Sequence, residues 1–281
     1  MDDLPVPTTA FVFGGGGRWG AVEVGMAQAL LAAGILPDLI LGASIGALNG
    51  AMVAADPTES GVLRLRKAWE SVQESGVLAA KASDRLRTVA RQKISTHSTE
   101  EMRRLVTRIL PTDDFDDLVV RFECVAASIE RAAEKWFSSG SLTDAILASA
   151  AVPMLFPPVL IDGESYYDGG LVNSVPVDRA VQLGASEIYV LQVGRIEQPL
   201  RRPERRHEPA LLAFEIARRH RFARALETLP EGVEVYLLPS GNPLSFDDSR
   251  QLRWRDTTDT SRLIESAREA SESYLADLGR P

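Results

Sequence analysis

The sequence predicts an α/β fold built on a mostly parallel sheet. Three observations carry that prediction. Short apolar runs, "AFVF" at 10–13 and "LILGA" at 39–43, have the length and composition of buried strands. Each is followed by a glycine-containing turn and then by apolar residues at helical spacing. The order strand–helix–strand–helix at this separation calls for parallel pairing with crossover helices.

The elements follow in order. After the first strand comes "GGGGRWG", and then a helix with Val22, Met26, Ala29, Leu30 and Ala33 at helical spacing, stopped at Gly34. The second strand runs into "GAS" and a small-residue helix, "IGALNGAMVAA". From about Pro57 to Pro111 the chain is helical in pattern, rich in charge and without a clear strand, a helical excursion from the sheet. Within it, Ser98 stands three residues before Glu101, a capping-box pattern. "VVRFECVAAS" and "KWFSSG" read as strands, and "SLTDAILASAAVP" as a short helix with Ser141 or Thr143 near its start and Pro153 as its stop. A turn at Asp162-Gly163 leads into another strand, "VPVDRAVQLGA" is a helix and "EIYVLQVG" a buried strand. "GVEVYLLPS" supplies one more strand and "TSRLIESAREASESYLADL" a closing amphipathic helix. No linker rich in glycine and serine divides the chain. One domain over 11–194 is expected, with 57–111 as its excursion and 195–281 as a carboxy-terminal extension packed on it.

Composition narrows the function. The 281 residues are 45% hydrophobic and 25% charged, ordinary for a globular protein, and the net charge of −8 argues against nucleic acid as a partner. The single cysteine, Cys124, excludes an internal disulfide and a multi-cysteine metal site, and reads as a small core residue of a strand. The acidic amino terminus does not resemble a signal peptide, and no apolar run reaches 18 residues, so the expected location is cytoplasmic. No cluster has metal-ligand spacing, and neither a metal nor a cofactor is expected.

Gly42-Ala43-Ser44-Ile45-Gly46 has the Gly-x-Ser-x-Gly pattern of a serine nucleophile on a strand-to-helix elbow. A chance match is not rare. Its place between an apolar strand and a small-residue helix strengthens it, since the glycines let the backbone turn and the helix amino terminus favours negative charge. The run Gly15-x-Gly17-x-x-Gly20 has two readings. A dinucleotide-binding turn requires an acidic residue at the end of the second strand, and Asp38 stands at the wrong end. An oxyanion hole requires exposed backbone N–H groups beside the nucleophile, which glycines provide. Both turns would open at the same edge of a parallel sheet.

A serine needs a base to remove its proton. The three histidines, His97, His207 and His220, lie in segments not built for that task. Asp168, at the end of a short strand and before Gly169 and Gly170, is often only a turn residue in such a setting. It is nevertheless the carboxylate at hand, and a Ser44–Asp168 dyad would work if burial or orientation raised its proton affinity.

With "GGGGRWG", "GASIG" and "DGG" in this order, and with "LTDAILASAAVPMLFPPV" and "LVNSVP" around them, residues 11–194 resemble the patatin-like phospholipases. The resemblance implies a three-layer α/β/α sandwich and a serine acyl hydrolase, a carboxylic ester hydrolase acting on lipid. It implies Ser44 as nucleophile, Asp168 as base, and backbone amides of Gly15, Gly16 and Gly17 as oxyanion hole, with Gly20, Gly42, Gly46, Gly169 and Gly170 as motif glycines. Asn173 is a candidate support for the loop after Asp168. Two positions depart from the family pattern, Trp19 and Leu147, where the family often carries a cation. The expected substrate is a phospholipid, lysophospholipid or related acyl ester. The alternatives are a soluble ester or thioester, and a non-catalytic lipid-binding protein on the same fold.

Between Arg195 and Arg224 the chain holds nine arginines against four glutamates. The favoured reading is a solvated or partner-binding helix with an arginine-rich leader. The alternative is a helix held at an anionic membrane surface by Arg218, Arg219 and Arg221.

Overall fold

The computed structural model describes residues 8–74, 98–193, 199–203, 208–241 and 259–280. Its strands are β1 (Thr9–Phe13), β2 (Leu39–Ala43), β3 (Arg121–Ser128), β4 (Ala133–Phe137), β5 (Val159–Ile161), β6 (Glu164–Asp168), β7 (Glu187–Leu191) and β8 (Glu234–Leu237). The helices are α1 (Ala21–Ala32), α2 (Ile45–Ala55), α3 (Glu59–Glu74), α4 (Thr99–Ile109), α5 (Leu142–Ser149), α6 (Gly170–Asn173), α7 (Val177–Gln182), α8 (Glu208–Glu227) and α9 (Thr260–Asp277). The sheet order is β5-β6-β3-β2-β1-β7-β8, with β4 paired to β3. Strands β3, β2, β1, β7 and β8 are mutually parallel, while β4, β5 and β6 run antiparallel to their neighbours.

Burial on both faces explains why the central strands read as unbroken apolar runs. Along β1, Phe11 and Phe13 face one core while Ala10 and Val12 face the other, and β7 alternates likewise, with Tyr189 and Leu191 against Ile188 and Val190. The first core is closed by α1, α2, α3, α5 and α9, the second by α7 and the inner side of α8. This is the three-layer arrangement of helices on both faces of a mostly parallel sheet. Both β8 and α9, from residues after 194, join it: β8 pairs with β7, and α9 lies along α1. Gly25 permits that last contact, since a side chain there would overlap the Ile264 carbonyl.

Local chemistry sets the element ends. Past α1, Gly34 adopts φ +72° and donates to the Leu31 carbonyl, while Ile35 N–H reaches back to Leu30, a Schellman cap. Of the two candidate caps of α5, Ser141 serves, accepting from Asp144 N–H at 3.1 Å. Ser98 caps α4 through Glu100 N–H rather than through the Glu101 amide of a capping box. Of the helical excursion, α3 and α4 are described, and residues 75–97 lie outside the described residues.

The pairing around β3 positions the site. One edge of β3 is occupied throughout residues 124–128 by β4. The opposite edge is shared: β2 pairs with Arg121–Val125, ending at Ala43↔Val125, and β6 takes over at Ala126↔Asp168. Two strand ends, one leading into Ser44 and the other finishing in Asp168, therefore meet at neighbouring rungs of one ladder.

Candidate active site

Ser44 sits between β2 and α2 with φ +56° and ψ −125°, a conformation that non-glycine residues seldom adopt. Strain of this kind persists only where the surroundings enforce it. Here they do. A Cβ on Gly46 would overlap the Phe13 and Gly14 carbonyls, and one on Gly42 would lie 2.6 Å from Ala47 Cα. Both elbow glycines are thus required by the close approach of α2 to the sheet. The turn places Ser44 Oγ at the amino terminus of α2, the positive end of its dipole.

Ser44 Oγ donates to Asp168 Oδ2 at 2.6 Å, and both side chains are buried. Asp168 Oδ1 accepts from Gly170 N–H at 2.7 Å, which fixes the carboxylate plane. Burial pushes the Asp168 carboxyl up from 3.8 to about 6, against the lowering by the Ser44 hydroxyl and the Gly170 amide. Such a group is largely ionised at neutral pH yet more basic than an ordinary aspartate. Gly169 and Gly170 are again matters of space: a Cβ on Gly169 would overlap the Val125 carbonyl, and one on Gly170 would lie 2.9 Å from Asp168 Oδ1.

The carboxy-terminal end of α5 holds both partners, a role that sequence reasoning missed. Ser149 Oγ accepts from Ser44 N–H at 2.9 Å, Ser149 O accepts from Gly169 N–H at 3.0 Å, and Ala151 O accepts from Asp168 N–H at 3.0 Å. Ser149 stands 105 positions from Ser44. Its only signal in the sequence is its place in "LASAAVP", ahead of the proline stop.

The glycine-rich turn lies against the nucleophile. A Cβ on Gly15 would come within 3.3 Å of Ser44 Cβ and 3.1 Å of Ser174 Oγ. The Gly15 N–H donates to the Ser174 carbonyl at 3.0 Å. Of the three glycines expected to form the hole, Gly16 and Gly17, both part exposed, have amides with no hydrogen-bond partner among the described residues. Gly16 must lack a side chain because one would overlap Val193, and Gly17 adopts φ +58°.

Behind this turn lies a polar clamp that was also not foreseen. Asn49, on α2, donates through Nδ2 to Gly20 O at 2.9 Å and to Glu23 Oε2 at 2.7 Å, and accepts from Trp69 Nε1 at 3.0 Å. Glu23 is fully buried, and its Oε1 has no hydrogen-bond partner among the described residues. Burial holds its carboxyl well above the usual range despite Asn49 and the nearby Gly14 amide. The clamp joins the helix that carries the elbow to the turn that carries the free amides. Gly20 faces Ile45 of that helix, where a Cβ would lie 2.7 Å from the isoleucine side chain.

Other expected residues also find places. Asn173 donates to Asp178 Oδ1 at 2.8 Å, and Asp178 Oδ2 accepts from Arg221 at 2.7 Å, so the loop after Asp168 is tied to α8. Trp19 and Leu147, where the family often has a cation, are both buried in the apolar core. Asp38, the wrong-end acid of the dinucleotide reading, accepts from Thr8 and Thr9 N–H at the start of β1, far from the turn. Cys124 is buried, and burial raises its thiol far above its usual range. His220 is exposed on α8, while His97 and His207 lie outside the described residues. Among the described residues no group of His, Cys, Asp and Glu is placed to hold a metal ion, and no helix is long and apolar enough to cross a membrane.

A strained serine on a strand–helix elbow, hydrogen-bonded to a buried acidic side chain and next to a glycine-rich turn, has the parts that acyl transfer through a serine requires. The chain belongs to the patatin-like phospholipase family, whose model matches residues 11–181. It is 30% identical over 190 residues to lysophospholipase nte1 of Aspergillus terreus, covering 68% of this chain and 12% of that protein. It is 28% identical over 189 residues to the human patatin-like phospholipase domain-containing protein 6, covering 66% of this chain and 13% of that one. The chain thus spans about an eighth of the length of these relatives. In fold it is similar to VipD from Legionella pneumophila, with a TM-score of 0.50 at 14% identity over 97% of this chain and 67% of that one.

Proposed function

We propose that the protein is a serine-dependent lipid acyl hydrolase, of phospholipase A or lysophospholipase type, acting through an acyl-enzyme on Ser44. The observation that carries this reading is the 2.6 Å hydrogen bond from Ser44 Oγ to a buried Asp168 whose proton affinity is raised. Asp168 accepts the hydroxyl proton as Oγ attacks the ester carbonyl. The oxygen of the tetrahedral intermediate takes its charge towards Gly16 and Gly17 N–H, aided by the amino terminus of α2. Asp168 then returns the proton to the leaving alcohol, leaving the acyl group on Ser44. In the second half Asp168 deprotonates a water that attacks the acyl-enzyme, and the proton goes back to Oγ as the fatty acid departs. Asn173, through Asp178, supports the loop that holds the base.

A fluorophosphonate probe tests the nucleophile. It is expected to label the wild-type protein, and Ser44→Ala to abolish labelling while leaving the thermal melt in place. Equal labelling of the variant would remove Ser44 from the mechanism. A screen across phospholipid, lysophospholipid, short-chain ester and acyl-CoA separates the lipid reading from a soluble esterase or thioesterase. A labelled protein inert on every ester would favour the lipid-binding alternative.

A further inference from the structure

Helix α8 is inside out. Three of its charged residues are folded inward: the side chains of Glu215, Arg218 and Arg219 are only 11%, 8% and 16% exposed. Arg218 clasps Glu215 with two bonds, at 2.6 and 2.9 Å, and Arg219 adds a third at 2.8 Å. Burial would raise the Glu215 carboxyl, yet the two guanidiniums hold it below the usual range, so the cluster stays ionised and paired. Arg221 turns to Asp178 and Glu134. These are the arginines that would have held the helix at an anionic surface, and they are occupied.

The outward face is apolar instead. Ala213, Ile216, Ala217, His220 and Ala223 are exposed along one stripe, which ends at the ion pair of Arg224 with Glu227. Within it Ile216 is 53% exposed, and beside it Phe214 is 37% exposed. Between Pro209 and Ala223 the charged side chain that reaches solvent most is Arg221, 40% exposed while it is paired to Asp178 and Glu134. Exposing isoleucine and phenylalanine costs hydrophobic free energy that is recovered when that face leaves water.

Phe214, beside the stripe, reaches the loop that follows the candidate base. Phe214 Cζ lies 3.2 Å from where a Gly170 side chain would begin, two residues past Asp168, and the neighbouring Leu171 is 43% exposed. An apolar surface that borders the base-bearing loop of a lipid hydrolase fits the aggregate from which the substrate is drawn. We infer that the outer face of α8, with Leu171, is the surface on which the protein rests on lipid, by apolar contact rather than by attraction of arginine to anionic headgroups. The inference rests on the acyl-hydrolase reading for the identity of the partner.

The test is sedimentation of the full chain with vesicles of phosphatidylcholine alone and of phosphatidylcholine mixed with phosphatidylglycerol, at low and high salt. The comparison is with the double variant Ala213→Glu/Ile216→Glu, both positions being exposed and away from the dyad. Binding to neutral vesicles that is nearly indifferent to salt is expected, and the double variant should partition on the order of 10-fold less. Its hydrolysis of a soluble short-chain ester should equal that of the wild type, while its hydrolysis of vesicle lipid falls. Binding that needs phosphatidylglycerol and vanishes in salt would overturn the inference, as would binding unchanged in the double variant or absent altogether. Self-association abolished by the double variant, with no vesicle binding, would give the face to a second copy instead. Ser44-dependent hydrolysis of the soluble ester is read in the same preparation. Its loss in the wild type would sink the enzymatic reading, whereas its presence with any of the contrary binding results sinks only the docking face.

Discussion

Asp168→Asn separates two consequences of the same burial, and they have opposite signs. The substitution keeps the shape, can still accept from Gly170 N–H, and removes the proton acceptor for Ser44. Turnover is therefore expected to fall by ~10²-fold or more. Stability should move the other way. In the folded protein the carboxyl titrates at about 6, against an ordinary 3.8. A raised acid pKa means that the folded state holds its proton more tightly than the unfolded chain. Its favourable contribution is complete below the unfolded pKa and is lost as pH rises through the folded one. The full difference corresponds to ~3 kcal/mol. Asparagine carries no such penalty, so at pH 8 the variant should be more stable than wild type by ~1–3 kcal/mol in urea denaturation, and at pH 4 the advantage should vanish. The wild type's kcat/KM should rise with pH to a plateau, with a midpoint about 6 and a loss of ~10-fold for each pH unit below it. A variant that is no more stable at pH 8 than at pH 4 relative to wild type would refute the burial argument. A variant that keeps most of its activity would remove Asp168 as the base.

Three further outcomes are expected. Glu23→Gln, neutral and of the same shape, should keep kcat within a few-fold, whereas Glu23→Ala should lower kcat by ~10-fold or more with little change in KM, because the turn bearing Gly16 and Gly17 loses its tie to α2; steady-state kinetics on a soluble ester reads both. Gly46→Ala should lower stability by ~1–3 kcal/mol or more and abolish probe labelling, since its methyl would overlap the Phe13 and Gly14 carbonyls; a variant that melts and labels like the wild type would mean that the elbow can relax. Replacing His220, exposed on α8, by alanine should leave activity unchanged, with the same expected of His97 and His207; a folded but inactive histidine variant would replace the dyad with a triad.

What was legible in the sequence is what local pattern controls. β1 and β2 are unbroken apolar runs because both faces are buried, and the glycines at 42 and 46 are there because backbone approaches backbone. The pairing of Ser44 with Asp168 could be posed as a question about a base, since the histidines offered no answer. What remained hidden depends on contacts far apart in the chain. Nothing local tells that the Ser174 carbonyl accepts from the Gly15 amide, or that Ser149 grips both strand ends. The helix α6, four residues long, is too short to show a period, and "DGG" reads as a turn. In α8, arginines and apolar residues alternate so evenly that no face stands out. Only the inward fold of Arg218 and Arg219 onto Glu215 decides which side meets solvent.

The sharing of one β3 edge by β2 and β6 also governs how the site should fail. Ser44 and Asp168 are spaced by two hydrogen-bond ladders on a single central strand, not by the loops that follow them. Central strands open to solvent only with the whole domain, whereas surface elements fray at small cost. On heating or in denaturant, hydrolytic activity towards a soluble ester should therefore vanish in the same transition as the sheet itself, and the amides of Val125 and Ala126 should exchange with solvent as slowly as any in the molecule.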